Sequence, residues 1–204
     1  TGRDVRFDVS RVEGYRNFCN KLWNASKFVL MNTEHTDLRL TEQPSSHVID
    51  RWIVAKARQL IKDCHLALET YRFDLCASAI YEFVWHEYCD WYLELSKSIF
   101  WDDNIGVEQQ AATRRTLLQV LESLLRISHP IMPFITETLW HQVAPRLGVE
   151  GTSIMTQSFP KAASCKADEE AEQQIEWLKA VITALRNIRG EASIKPSQGI
   201  DVVL

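Results

Sequence analysis

The chain has 204 residues, of which 46% are hydrophobic and 25% are charged, and its formal net charge is −4 at pH 7. This composition excludes a disordered or collagen-like protein, and a chain of this length can bury a hydrophobic core of its own. The mild acidity argues against a protein that coats nucleic acid through a uniformly basic surface.

The cysteines are odd in number, and no two have the C-x-x-C spacing of a zinc or redox site. Most lie on apolar helical segments, where a free cysteine behaves as a small hydrophobic residue. They are Cys19, Cys64, Cys76, Cys89 and Cys165. Since there is no signal peptide and no apolar run long enough to cross a bilayer, we expect a cytoplasmic protein with no membrane partner and no metal site.

Apolar residues at helical spacing predict three helices in the first half of the chain, at about 10–31, 47–71 and 74–100. Ser46 and Asp50 resemble a capping pair at the start of the second helix. The positions predicted to face inward on the first helix are Val12, Tyr15, Phe18, Leu22, Ala25 and Val29. Those predicted for the third helix are Leu75, Ala79, Phe83, Tyr88, Trp91 and Leu95.

In the second half, the same periodicity predicts helices at about 107–128, 133–143 and 168–189. A short extended piece is expected at 152–160, where it ends at a proline. Residues 200–204 alternate and are β-branched, which is typical of a strand.

These elements predict an all-α fold, a helical bundle with the start of a small α+β unit at its C-terminus. The bundle would occupy residues 1–160, and residues 161–204 would form a linker, a helix and a strand. Because there is no initiator methionine and the last residues are apolar, we expect the chain to be part of a longer polypeptide.

The segment 129–140, H-P-I-M-P-F-I-T-E-T-L-W, connects the fourth and fifth predicted helices. Pro130 cannot continue a helix because it lacks an N–H donor, whereas Pro133 suits the first turn of the next helix. The segment therefore predicts a buried corner between two helices, in which His129 is expected to bond helix-end carbonyl groups.

Motifs of enzyme chemistry are scarce in this chain. The glycines never cluster into a phosphate-binding loop. His86 and Asp90 are four residues apart on one helix face, but no third ligand lies within sequence reach, so we interpret them as a hydrogen-bonded pair. The segment 95–98, L-S-K-S, is only superficially similar to a K-M-S-K-S nucleotide-binding loop, since it falls inside a helix. We predict no catalytic residue.

The first predicted helix carries a polar face that lies away from its apolar line. Cations that suit phosphates, amides that can read base edges and an aromatic ring that can stack share this face or flank it, and together they are typical of binding to unpaired RNA bases. The residues are Arg11, Asn17, Lys21, Asn24, Lys27 and Phe28. The residues alone leave open a solvated face on which Phe28 covers a neighbouring segment.

At several of these residues the chain resembles the class I aminoacyl-tRNA synthetases. The stretches that carry the resemblance, in collinear order, are 2–8, 11–24, 83–95, 129–140 and 185–191. The proline corner is shared by the valine, isoleucine, leucine and methionine enzymes. The run R-N-F-C-N-K-L-W-N is similar to the bacterial valine enzymes, while the isoleucine enzymes tend to have R-N-T-x-R-F there. An isoleucine enzyme and a helical scaffold without an RNA role are the alternatives.

The resemblance implies a helical anticodon-binding domain, packed below the catalytic domain of the same polypeptide, that holds the anticodon stem-loop of tRNA(Val). The parent enzyme would be a monomer that joins valine to this tRNA using ATP with Mg²⁺, and the ATP, valine and editing sites would lie upstream. This part alone would be non-catalytic and hold no cofactor. The six residues of the polar face would contact the anticodon, while Ser10 replaces a basic residue of some relatives. The tail from Ala167 would begin a small α+β domain and be poorly anchored without its coiled-coil arm.

Overall fold

The computed structural model describes residues 8–34, 36, 38, 44–162, 168–195 and 198–202. The elements in chain order are α1 (Val9–Thr33), α2 (Val48–Glu69), α3, α4 (Val107–Ser128), α5 (Pro133–Val143) and α6 (Glu169–Glu191). Helix α3 joins three segments without a break, namely Phe73–Glu82, the π-helical Phe83–Tyr92 and Leu93–Phe100. Two 3₁₀ turns lie at Ala144–Leu147 and Ile154–Thr156. No strand occurs among the described residues, and the all-α prediction is confirmed.

The predicted extended elements are not formed in the described part of the chain. The segment 152–160 holds the 3₁₀ turn at Ile154–Thr156 instead of a strand, because Ser153 accepts a hydrogen bond from the Met155 amide and turns the backbone. Residues 200–202 are not in a strand, and the rest of the predicted strand, 203–204, lies outside the described residues.

Helix α4 lies at the centre of the bundle and packs against α1, α2, α3 and α5. Its leucines supply the middle of the core, where burial of apolar surface stabilises the fold most. The fully buried ones are Leu117, Leu118, Leu121, Leu124 and Leu125. Helix α1 therefore rests on this core along one side and leaves its other side to solvent.

The core face of α3 repeats every four residues rather than every 3.6. The residues on this face are Cys76, Ile80, Val84, Tyr88, Tyr92, Ser96 and Phe100, and all of them are buried. In an uninterrupted α-helix such a line would drift by about 40° per step. The π-helical segment is wound more loosely and offsets part of this drift, and at its end the Leu93 amide donates to the Tyr88 carbonyl, five residues earlier. The prediction that Leu75 faces inward is wrong, since Leu75 is 50% exposed and its neighbour Cys76 lies on the core face instead.

Asp50 is a buried carboxylate that ties three helices together. Its oxygens accept hydrogen bonds from Tyr92 on α3 at 2.5 Å, from Thr113 on α4 at 2.6 Å, and from Ser45 before α2 at 2.5 Å. The predicted capping pair is wrong, because the N-cap of α2 is His47, whose ring accepts from the Ile49 amide. Asp50 is thus a link within the core rather than a helix cap.

The C-terminal end of α1 is fixed by two arginines from other parts of the chain. Arg146 donates to the Leu30 carbonyl at 2.6 Å, and Arg114 donates to the Asn32 carbonyl at 3.0 Å. Positive charges at the C-terminal end of a helix also interact favourably with the helix dipole. At the other end, the predicted inward positions Val12 and Tyr15 are wrong, since they are 46% and 67% exposed. Here α1 extends beyond the core that buries its later turns.

The proline corner is buried on one side only. Leu139 and Trp140 are buried, and the Trp140 indole N–H donates to the buried Glu122 carboxylate at 3.0 Å, which joins α5 to α4. Phe134, in contrast, is 87% exposed, so the prediction of a buried corner is correct for Leu139 and Trp140 but wrong for Phe134. His129 pairs with the Thr136 hydroxyl at 2.8 Å rather than with a helix-end carbonyl.

Helix α6 is anchored to α2 and α3 by ion pairs, contrary to the expectation of a poorly anchored tail. Arg51 on α2 makes a two-pronged contact with Asp168, the N-cap of α6, at 2.7 and 2.8 Å. Lys179 lies 2.7 Å from the Glu87 carboxylate and 4.5 Å from the ring centre of Trp52. A largely buried ammonium group between an acid and an aromatic face stabilises this contact.

Replacing Lys179 by methionine is expected to lower the free energy of unfolding by about 1–2 kcal/mol, between the effects known for exposed and for buried ion pairs. The reason is that Glu87 loses its cation while the apolar stem is kept. Urea unfolding followed by tryptophan fluorescence measures this loss. Lys62→Met, an exposed site on α2, is the control and should change stability by less than about 0.5 kcal/mol. Equal midpoints for the two variants would contradict the assigned role of Lys179.

Candidate nucleic-acid interface

A groove of about 410 Å³ lies between α1 and the second half of α3 and is open to solvent. One wall comes from the polar face of α1 and the other from the end of the π-helical segment and the turns after it. The lining residues are Asn17, Asn20, Lys21, Asn24, Ala25, Phe28, Cys89, Leu93, Glu94 and Lys97. Four of the six residues predicted for the polar face of α1 thus meet in one concave site.

A ladder of aromatic rings holds α1 against α3 beside this groove. Phe18 of α1 stacks on Tyr81 with ring centres 5.2 Å apart, and Tyr81 stacks on Trp85 at 5.5 Å. The Lys21 ammonium lies 4.1 Å from the ring centre of Trp85 and continues the ladder back to α1. Stacked rings and cations over ring faces favour one relative placement of the two helices. The groove is therefore built on a rigid pair of elements.

The α1 wall presents amides and one ring. Asn17, Asn20 and Asn24 are exposed and follow one another at spacings of three and four residues, so they lie on one side of the helix. An asparagine amide carries both donors and an acceptor and can pair with the edge of a nucleobase. Phe28 at the end of this row is half-buried and packs against the core. Amide edges and an aromatic face are thus placed in one row.

Lys21 is not a free cation in this groove. Its Nζ lies 2.5 Å from the Asp90 carboxylate, which in turn lies 3.5 Å from the ring of His86. The interpretation of His86 and Asp90 as a hydrogen-bonded pair is wrong, because their contact does not meet hydrogen-bond geometry and Asp90 accepts from Lys21 instead. No group of three potential metal ligands occurs among the described residues.

Lys27 and Arg11 stand apart from the groove-lining residues. Lys27 is exposed on the edge of α1, and its ammonium lies 5.7 Å from the ring centre of Trp23. It is not among the residues that line the groove. Arg11 belongs to α1, and its side chain falls outside the described part of the chain.

The opposite wall contains residues that the sequence did not assign to a site. Lys97 lies with its ammonium 5.4 Å from the ring centre of Phe28 and 2.6 Å from the Glu94 carboxylate. Cys89, Leu93 and Lys97 follow at intervals of four residues, so the sequence alone could have placed them on one side of a helix. The sequence alone did not show that α3 lies beside α1.

The groove has the chemistry of a binding site. Burial raises the pKa of the Cys89 thiol to about 12, so the sulfur stays protonated and is a poor nucleophile at neutral pH. Polar amides, an aromatic ring and a lysine in one open groove match the groups that bind unstacked nucleobases. In the part of the chain that the structure describes, no helix is long and apolar enough to span a membrane.

Comparison with known proteins shows the family of the chain. The chain is 49% identical to the valine–tRNA ligase of Coxiella burnetii (strain RSA 493 / Nine Mile phase I) over 202 residues. The matched region is 99% of this chain and only 22% of that relative. A family model described as the anticodon-binding domain of tRNA ligase matches residues 50–204. The match begins near the start of α2 and continues to the end of the chain, and the chain therefore belongs to the family of anticodon-binding domains of tRNA ligases.

Proposed function

We propose that the chain is the anticodon-binding region of a valine–tRNA ligase and that its groove receives an unpaired anticodon base of tRNA(Val). The observation that carries this proposal is that Asn17, Asn24 and Phe28 line one open groove. An unstacked base entering there would find a ring face to stack on and amides to pair with its edge. The name of the similar ligase and the matching family support the choice of tRNA as the partner.

Catalysis would belong to the remainder of a longer protein. Since the chain spans 22% of the similar ligase, the joining of valine to tRNA, with ATP and Mg²⁺, is assigned to parts beyond these residues. The proposed parent enzyme is a cytoplasmic monomer whose catalytic domain adjoins this region. An ATP-dependent valine activation assay on the present chain alone should give no signal above background.

The test of the proposed function is a titration with anticodon stem-loops at one fixed, moderate salt concentration, because phosphate contacts make RNA affinity depend on salt. The valine stem-loop is expected to bind at least about tenfold more tightly than an unrelated one, since mismatched bases leave amide groups unpaired. A stem-loop with an isoleucine anticodon tests the other synthetase alternative. Equal binding of all three would contradict specific reading of the anticodon, and no binding would favour a scaffold without an RNA role.

A further inference from the structure

The ring that we propose for base stacking is already occupied in the RNA-free protein. The Lys97 ammonium lies over the Phe28 ring at 5.4 Å from its centre, within the range of a cation–π contact. Phe28 packs against the core, and Phe28 and Lys97 both line the groove, so the ammonium group lies on the groove side of the ring. A base and this ammonium group would compete for the same face.

Lys97 is held in place by a neighbour that RNA can replace. Its ammonium is 2.6 Å from the carboxylate of Glu94, three residues earlier on the same helix. The Glu94 side chain is mostly exposed, and exposed ion pairs within one helix contribute little to stability. A phosphate is an equally good acceptor for an ammonium group. If the Lys97 ammonium group moves away from the Phe28 ring, it can therefore still pair with a phosphate.

We infer that Lys97 is a displaceable cover: its ammonium protects the Phe28 ring in the free protein and moves to an RNA phosphate when a base stacks on that ring. This inference rests on the proposed function, because it takes the groove to be the site of an anticodon base. It adds Lys97 as a contact to RNA from α3, opposite the polar face of α1. It also explains why an aromatic side chain can remain in an open groove without presenting a bare apolar face.

Salt dependence of RNA binding separates a phosphate contact from a merely structural one. Each phosphate neutralised on a single strand contributes about −0.7 to the slope of log K against log salt. Lys97→Met keeps the apolar stem of the side chain and removes the charge, so we expect the slope measured with the valine stem-loop to become shallower by about 0.7. Lys62→Met on α2, which contributes no residue to the groove, is the matched control and should leave the slope unchanged.

The cover can also be observed directly by NMR in the unmodified protein. A methylene group held over the face of an aromatic ring resonates upfield, so the Lys97 ε-protons should be shifted upfield in the free protein and move downfield when the valine stem-loop saturates it. In Phe28→Leu the upfield shift should be absent from the start. Lys97 resonances that do not respond to RNA, or a Lys97→Met slope equal to that of the wild-type protein, would overturn the inference.

These results distinguish the inference from the proposed function beneath it. A wild-type protein that prefers the valine stem-loop, together with an unchanged slope for Lys97→Met, would leave the proposed function standing and remove Lys97 from the RNA contact. A wild-type protein that binds no stem-loop would overturn both.

Discussion

Replacing Asp50 by alanine is expected to lower the free energy of unfolding by about 3 kcal/mol, because buried hydroxyl groups that lose their acceptor cost about 1–3 kcal/mol each. Asp50 is 1% exposed, and both Tyr92 and Thr113, which donate to it, are fully buried. Urea unfolding followed by circular dichroism measures the change. The control is Asp63→Ala, an exposed aspartate on the same helix, for which a change below about 0.5 kcal/mol is expected. Similar losses for the two variants would mean that the three-helix link contributes nothing.

The same carboxylate predicts an unusual pH dependence. Burial raises the pKa of Asp50 above its ordinary value of 3.8, against the opposing effect of its hydrogen bonds. When the pKa is higher in the folded state, the contribution to stability is complete below the unfolded pKa and is lost as the pH rises through the folded one. Relative to Asp50→Asn, which does not titrate, the wild-type protein should therefore gain stability as the pH falls from about 7 to about 4. Unfolding free energies of both proteins across this range measure the difference, and the opposite trend would contradict the raised pKa.

Replacing Phe28 by leucine is expected to weaken binding of the valine stem-loop by roughly 5- to 150-fold, which corresponds to the loss of about 1–3 kcal/mol of base stacking. Leucine keeps most of the apolar contact that the half-buried ring makes with the core, but it offers no flat face to a base. Fluorescence anisotropy with labelled stem-loops, at a temperature well below unfolding, measures the loss.

A matched control for this variant is available on α5. Phe134 is 87% exposed and lies outside the groove, so Phe134→Leu should leave RNA binding unchanged. Phe28→Ala is a less specific variant, because it also removes contacts with the core and is expected to lower stability by about 1–2 kcal/mol. Comparable RNA affinity for Phe28→Leu and the wild-type protein would exclude Phe28 as a stacking platform.

Much of the fold could be predicted because most helices follow simple rules. Helix α4 begins after the turn at 102–106 and α5 begins at a proline that suits a first turn, so both were predicted at their observed bounds. The inward face of α3 could not be predicted correctly with a period of 3.6, because its core residues repeat every four positions. The C-terminal strand was expected from β-branched residues alone, which is a weak signal without a partner strand.

The candidate site, likewise, could be predicted only in part. The polar row on α1 could be predicted, since Asn17, Lys21, Asn24 and Phe28 share one face of a single helix. The pairing of the Lys21 charge could not be predicted, because its partner Asp90 lies 69 positions further along the chain. Lys97 was assigned no role for the same reason: its meaning depends on how two distant helices pack. The contacts of all these residues with RNA stay predictions.

Because the middle of α3 is underwound, the number of residues in this segment is important for function. The same helix carries the core face from Cys76 to Phe100 and the groove face that ends at Lys97, and both are kept in phase across the segment Phe83–Tyr92. Deleting one residue there would rotate everything downstream by about 100° relative to the start of the helix. The segment should therefore tolerate substitutions far better than a change of length, and homologues should vary in side chains along α3 while keeping its number of residues.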